Sequence, residues 1–561
     1  MLLYDSYHPD MLRDALDRDL LFARLWNGIE KNPRIARVML FEQLDLENGD
    51  IPVFSSRPGS RDLWTSRNER IVEFFDETSL SHTRRCLQTL SDDDLSKQTW
   101  IIRASMSAYA LDFVEKEVAK QDADIWSNIN SSNETTSMKG DKRPAAPNSD
   151  QLLAAARTVA NRLDWLSLRD QSEIAWLGVN LINDRMWKLL PLGFDLYNGT
   201  AGIVLFMAYL GAITGKDRYT ALAKTSLRCI QRQLQIIMKT APTFDVGIGA
   251  FSGLGGIIYV MTHAGILWNE REWLAEAEAL AEQLPKLIEL DENFDFIGGS
   301  AGCIPALLGL YQATSAKSLL ASAIQCGEHL INRAQSMTKG IAWQTKIKAT
   351  KPLAGLSHGA SGIALSLLEL AAQTGETRFR ESALDAMRYE RSIFVPELGN
   401  WPDLRDISLA STLKQDDSKP YGFMVTWCHG APGIGLARLH SLVYHDDIET
   451  RDEIAIALNT TLKQGFGLNH CLCHGDLGNL ELLLQASQIL PDSKWHVSVA
   501  EITTRILDNI NQKGWICGIP MGIETPGLMT GLAGIGYGLL RLAEPERVPS
   551  VLLLAPPISR Q

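Results

Sequence analysis

No apolar run in this chain is long enough to suggest a membrane span. Ala201 to Ile213 is apolar throughout but stops well short of the roughly 20 residues a spanning helix needs. No targeting segment is expected either, because the stretch MLLYDSYHPDMLRDALDRDL meets acids and arginines too early for an apolar signal core. We therefore expect a cytoplasmic protein. Positive charge is also scarce: 54 Lys and Arg stand against 66 Asp and Glu, a formal net charge of −12. Nucleic-acid readers carry a basic face, so no nucleic-acid partner is expected. The eight cysteines lack the Cys-x-x-Cys pairs of zinc ribbons and are scattered over 561 residues. That pattern suits thiols kept reduced for metal or catalytic use, not a disulfide framework. A P-loop lysine is absent from the glycine-rich elements, which excludes a phosphate cradle there.

What the chain does have is a repeat. A Gly-x-x-Gly element recurs seven times, at Gly199 (NGTAG), Gly253 (SGLGG), Gly299 (GGSAG), Gly359 (HGASG), Gly430 (HGAPG), Gly475 (HGDLG) and Gly531 (TGLAG). Each opens an apolar stretch of 10 or more residues, such as GIVLFMAYLGAITG or GIALSLLELAAQTG. A helix apolar nearly all round is buried on most sides. More amphipathic patterns lie between them, for example Trp273–Leu290 and Arg378–Tyr389. Alternating buried and half-exposed helices in a repeat array predict an all-α fold, an α/α toroid of seven helix pairs. The glycines themselves read as structural, permitting tight turns and close backbone approach.

Three regions are expected. Residues 1–126 form a smaller, mostly helical part, with helical periodicity from His8 to Trp26 and again around Glu69–Phe75 and Asp92–Val118. Between them Gly49 to Trp64 is rich in Pro and Gly and reads as loop or short extended structure. Residues 127–150 are polar and Ser/Asn-rich, almost without large apolar side chains, and are read as a flexible linker. From Gln151 to residue 561 the pattern reads as helical throughout.

The chemistry sits just ahead of the glycines. In the fifth and sixth repeats the two preceding residues are Cys428-His429 and Cys473-His474, and His358 holds the matching place in the fourth. Equivalent positions of adjacent repeats lie at one end of a toroid, so these groups can converge. Two thiolates and an imidazole make a good zinc set with a fourth position open.

These residues carry a resemblance. TWCHGAPGIGLARL (Thr426 to Leu439), CLCHGDLGNLELL (Cys471 to Leu483) and GLSHGASGIAL (Gly355 to Leu365) are similar to the signature motifs of the lanthionine synthetase C-like cyclases. The resemblance spans about residues 185 to 545. HPDMLRDALDRDLLFARLW and GDIPVFSSRPGSRDLW resemble the end of the dehydratase region of class II, LanM-type, lanthipeptide synthetases. The resemblance implies one Zn²⁺ held by Cys428, Cys473 and His474, with His358 and Asp295 serving acid–base steps. Asp195 has the same offset from its glycine as Asp295 and is the decoy. His429 would touch substrate, and Cys471 reads as a structural thiol. His358 as a core histidine and Asp295 as a helix cap are the plain alternatives. The activity implied is addition of peptide cysteine thiolates to dehydroalanine or dehydrobutyrine, giving (methyl)lanthionine thioether rings. Implied partners are a dehydrated precursor peptide with its leader and a separate dehydratase fragment. Two other readings are a non-catalytic peptide- or dehydratase-binding scaffold and a zinc enzyme adding glutathione to dehydrated residues. An intact ligand set argues against the first, and the LanM-like amino-terminal part against the second.

Overall fold

The computed structural model describes residues 32–118, 146–170, 173–182, 186–240, 247–405 and 422–558, with a few isolated positions before residue 32. The helix expected from His8 to Trp26 and most of the 127–150 linker lie outside the described residues. The chain divides into two compact units, Met1–Trp100 and Ile101–Gln561.

The first unit holds helices α1 (Ala36–Glu47) and α2 (Ser79–Thr89) and the start of α3 (Asp92–Val118). Between α1 and α2 lie three two-residue antiparallel strands, β1 (Ser55–Ser56), β2 (Leu63–Trp64) and β3 (Arg70–Ile71), in that order across the sheet. Val38, Leu63 and Ile71 form the core, packed by Phe41, Phe54, Phe74 and Phe75. The helix expected around Glu69–Phe75 is therefore replaced by β3 and a turn. Buried Asp62 drives that outcome: its carboxylate accepts the Glu73 N–H at 2.7 Å and pairs with Arg70, which fixes the chain as a hairpin.

In the second unit the remainder of α3 is followed by α4 (Ser149–Leu166), started by a capping box between Asn148 and Gln151. Two hairpins follow, β4 (Leu168–Asp170) with β5 (Glu173–Ala175), and β6 (Leu177–Ile182) with β7 (Met186–Pro191). The uniformly helical reading from Gln151 onward fails here. Leu177, Val179 and Leu181 repeat with period two, the signature of a strand, and six residues are too few for a helical period to compete.

Seven inner helices then follow the seven glycine elements. They are α5 (Thr200–Thr214), α7 (Leu254–Trp268), α10 (Ser300–Thr314), α12 (Ala360–Thr374), α14 (Ala431–Ser441), α16 (Asp476–Ile489) and α18 (Leu532–Ala543). Each packs on the next, and α18 packs on α5, so the ring closes. The outer layer is α6 (Asp217–Thr240), α8 (Arg271–Ala281) with the short α9 (Leu284–Ile288), α11 (Lys317–Arg333), α13 (Thr377–Ser392), α15 (Ile448–Gln464) and α17 (Lys494–Lys513). The outer partner of α18 is α4, from the beginning of the unit. The toroid thus has its seven pairs, with the seventh assembled from the two ends of the unit. The single helix expected over Trp273–Leu290 is split into α8 and α9, with Pro285 in the first turn of α9. In α5 the twelve residues from Thr200 to Gly211 are all buried, and each Leu, Ile or Phe so buried contributes about 1.5–3 kcal/mol.

A circle of hydrogen bonds joins the residues two places before each first glycine, with Phe296, next to Ile297, making the link from the third repeat to the fourth. Tyr197 N–H donates to Phe251 O (2.9 Å), Phe251 N–H to Ile297 O (3.0 Å) and Phe296 N–H to Ser357 O (3.1 Å). The Ser357 hydroxyl donates to Cys428 O (2.7 Å). Cys428 N–H donates to Cys473 O (3.2 Å), Cys473 N–H to Met529 O (2.9 Å), and Met529 N–H to Tyr197 O (2.7 Å). The circle crosses every repeat boundary once and sets one mouth, at the N-termini of the inner helices.

The other end is filled by the carboxyl-terminal segment. Val551 to Leu554 are buried, the Tyr537 hydroxyl donates to Pro549 O, and the Tyr259 hydroxyl donates to Ala555 O. His263 lies in this floor beside Tyr209 and Tyr259, and burial lowers its pKa to about 3. No helix among the described residues is long and apolar enough to cross a membrane. An unfolded His263 takes up a proton below about pH 6.5 that the folded ring refuses until about pH 3. Stability should therefore fall with falling pH across that window, by up to about 1.4 kcal/mol per pH unit from this group. The urea midpoint of His263→Gln, followed between pH 6.5 and 4.5, is expected to decline less steeply than that of the parent chain.

Candidate metal centre

Cys428 and Cys473 hold equivalent places in adjacent repeats, and the bond from Cys428 N–H to Cys473 O fixes their backbones side by side. His474 follows Cys473. One ligand atom from each of the three lies within 4.8 Å of the others, and this is the Cys/His/Asp/Glu grouping of metal-binding size among the described residues. Both sulfurs are buried, and the imidazole is partly exposed at the mouth. The two thiols act as a coupled pair. The hydrogen bond from Cys473 lowers the Cys428 thiol to about 6, with His474 and Arg405 adding to the effect. The same bond, together with burial, pushes Cys473 up.

The imidazole is oriented from behind. Nε2–H of His474 donates to Gly518 O at 2.9 Å, so the neutral ring carries its lone pair on Nδ1. Such a carbonyl partner is the usual support of a metal-ligating histidine. Two sulfurs and one imidazole nitrogen fit a borderline-soft divalent cation such as zinc, with one tetrahedral position open. Cys471 serves the loop: its Sγ accepts the His474 N–H at 3.4 Å, and burial raises its thiol to about 12.

On the neighbouring arc of the mouth, His358 Nδ1 lies 2.8 Å from Asp295 Oδ2. The other oxygen, Oδ1, accepts N–H from Ile297 (3.0 Å) and Gly298 (2.7 Å). Asp295 is thus both a loop cap and a partner to the histidine. The His358 side chain is 24% exposed and Asp295 only 3%, so the imidazole is the member that solvent and ligands can reach. Asp195 makes the same kind of cap, accepting from Asn198 and Gly199, but no histidine stands at the matching place of its neighbouring repeat. The His429 ring lies 5.9 Å from that of His358, and burial with nearby Arg405 lowers it to about 3, so it is neutral at physiological pH. At 3% exposure it is far less accessible than His358.

Three contributors were not singled out in the sequence. The Tyr197 hydroxyl donates to Cys473 Sγ at 2.9 Å. Arg405 is paired with buried Asp403 (Nη2–Oδ2 2.6 Å) and touches Met424 Sδ at 3.1 Å, and its held charge helps to lower the Cys428 thiol. Gly518 closes on His474 from the segment after α17. Tyr197 occupies the place in the first repeat that the cysteines hold in the fifth and sixth, so alignment of the repeats would have found it. No sequence signal marks Arg405 or Gly518.

Comparison with known proteins assigns the chain to a family. Residues 191–553 match the family described as lanthionine synthetase C-like protein, and residues 1–57 match a domain of unknown function, DUF4135. The lacticin 481/lactococcin biosynthesis protein LcnDR2 of Lactococcus lactis subsp. lactis is 31% identical over 221 residues, or 37% of this chain. That match covers 22% of the relative, so the chain spans about a fifth of its length. Among solved structures, nisin cyclase is similar at 17% identity, covering 72% of this chain and 97% of that one, with a TM-score of 0.49. An α-1,6-mannanase from Salegentibacter sp. HEL1_6 is similar at 12% identity over 71% of this chain and 100% of that one, with a TM-score of 0.39. The family match covers well over half of the chain, which belongs to the lanthionine synthetase C-like family. The amino-terminal DUF4135 segment and the LcnDR2 likeness support the resemblance to LanM-type synthetases.

A Cβ on Gly518 would fall within 3.0 Å of both Cys471 Sγ and His474 Nε2. Gly518→Ala should turn the imidazole and lower zinc affinity about tenfold or more, measured by chelator competition.

Proposed function

We propose that this chain is a zinc-dependent cyclase that closes lanthionine and methyllanthionine rings in the cytoplasm, with residues 151–561 as the cyclase domain. The observation that carries the reading is the convergence of Cys428, Cys473 and His474 within 4.8 Å, beside the His358–Asp295 pair. The substrate is a precursor peptide in which serine or threonine has already been dehydrated to an alkene, so a dehydrating activity precedes this step. A separate dehydratase fragment is the partner that this order of events calls for.

Cys428, Cys473 and His474 would hold one Zn²⁺, which when bound lowers the pKa of a peptide thiol and keeps the resulting thiolate nucleophilic. The remaining steps belong to the chain's own residues. Asp295, fixed by two backbone N–H donors, accepts Nδ1–H of His358 and so leaves Nε2 as the atom that exchanges protons. As the C–S bond forms at the β-carbon, the alkene electrons move onto the adjacent carbonyl as an enolate. The His358 imidazolium then returns a proton to the α-carbon, and Asp295 stabilises that imidazolium while it lasts. The thiol proton lost at the start balances the proton gained at the end, so the peptide mass does not change.

The test offers a pre-dehydrated precursor peptide to the zinc-loaded chain and reads free thiols by alkylation and mass. Loss of alkylatable thiols at constant mass is expected. Full activity after removal of the metal would overturn the reading. Cys473→Ala should lose zinc and ring formation together. His358→Asn should keep one zinc per chain while turnover falls about 10²–10⁴-fold. Unimpaired turnover by His358→Asn would remove it from the proton-transfer role.

A further inference from the structure

Tyr197 stands two residues before Gly199, the place held by Cys428 and Cys473 in their repeats, and reaches across the mouth to Cys473 Sγ at 2.9 Å. Its position is tightly held. The backbone N–H donates to Phe251 O, the carbonyl accepts Met529 N–H, and the ring lies edge-on to Phe251 at 6.4 Å between centroids. A phenol keeps its proton at neutral pH, whereas a ligating cysteine is a thiolate, so the hydroxyl donates and the sulfur accepts. Cys428 is treated differently. The Thr426 hydroxyl near it, at 3.3 Å, also reaches His429 O at 3.0 Å, so its one proton is divided between two acceptors.

This asymmetry bears on charge. Two thiolates balance a divalent cation, and a third thiolate from a peptide leaves the buried centre with a net negative charge. A donor aimed at a resident sulfur draws electron density from it and offsets that excess. We infer that Tyr197 is a positioning residue, whose hydroxyl moderates the donor strength of the Cys473 sulfur and lets the centre accept a third, peptide-borne thiolate. The inference rests on the metal-binding reading above. It goes beyond that reading in assigning a separate side chain, from the far side of the seventh repeat, to the tuning of one ligand.

The experiment uses the full chain loaded with Co(II), whose sulfur-to-metal charge-transfer band reports electron density on the ligating sulfurs. Metal content of the parent chain decides the metal reading by itself, and the difference between parent and variant decides the role of Tyr197. Tyr197→Phe should retain one metal per chain, move the charge-transfer band to lower energy and lower the affinity of the loaded centre for an added cysteine-containing peptide about tenfold. 3-Fluorotyrosine placed at position 197, a stronger donor of nearly the same shape, should move the band the opposite way, and it serves equally if the Phe variant does not fold. A band and an affinity unchanged from the parent in either folded variant would overturn the inference.

Discussion

The circle of hydrogen bonds through Tyr197, Phe251, Phe296–Ile297, Ser357, Cys428, Cys473 and Met529 is the constraint on which the rest of the toroid depends. It holds seven loops of unrelated length and composition at one level, so that side chains at matching places share one mouth. The second glycine of every element follows from the same geometry. At Gly202, Gly256, Gly302, Gly362, Gly433, Gly478 and Gly534 a Cβ would lie within 3.0 Å of the carbonyl oxygen three residues before the first glycine of its repeat. That carbonyl turns back over the helix start, and only a residue without a side chain fits beneath it. The glycines are thus spent on backbone, and the two residues ahead of them are left free for chemistry.

Apart from Tyr197 in the first repeat, only one arc of the ring uses that freedom. Phe251, Ile297 and Met529 are apolar and close the floor of the mouth, whereas the fourth to sixth repeats present His358, Cys428, His429, Cys473 and His474. A buried ionic network stiffens the same arc from beneath. Arg438 on α14 pairs with Glu390 on α13 (2.7 Å) and Glu453 on α15 (2.8 Å), and Glu390 accepts the Gly355 N–H at 2.7 Å, four residues before Gly359. Removing one partner of such a network strands a buried charge, at a cost of about 3–5 kcal/mol. The loop that carries His358 is therefore tied both to the Cys428 loop, through Ser357, and to three helices behind it.

Sequence reasoning reached this far because the repeat is loud and its variable places are few. Seven glycine elements before seven apolar runs leave little choice but an inner ring, and the unusual residues at one offset mark the arc. Failures came where the signal was short or remote. Leu177 to Ile182 alternates over only six residues, and Glu69–Phe75 is turned into a hairpin by Asp62, a contact no periodicity can reveal. The pairing of α4 with α18 joins segments nearly 400 residues apart, and amphipathic helices carry no label naming their partners. Gly518 and Arg405 belong to loops outside the repeat pattern, so their approach to the sulfurs and to His474 is a property of the closed ring alone.

Asp195 and Asp295 show how little a motif offset decides by itself. Both stand four residues before the first glycine and both cap their loop through backbone N–H groups. What differs is the neighbour. The next repeat offers Ser252 to the first aspartate and His358 to the second, and only the imidazole can exchange a proton near neutral pH. The first aspartate is left with burial, which raises its pKa, and with a structural task. The role proposed for Asp295 is therefore a property of a repeat boundary, not of a residue. The same holds for the paired sulfurs, since each of the two cysteines becomes part of a ligand set through the repeat beside it.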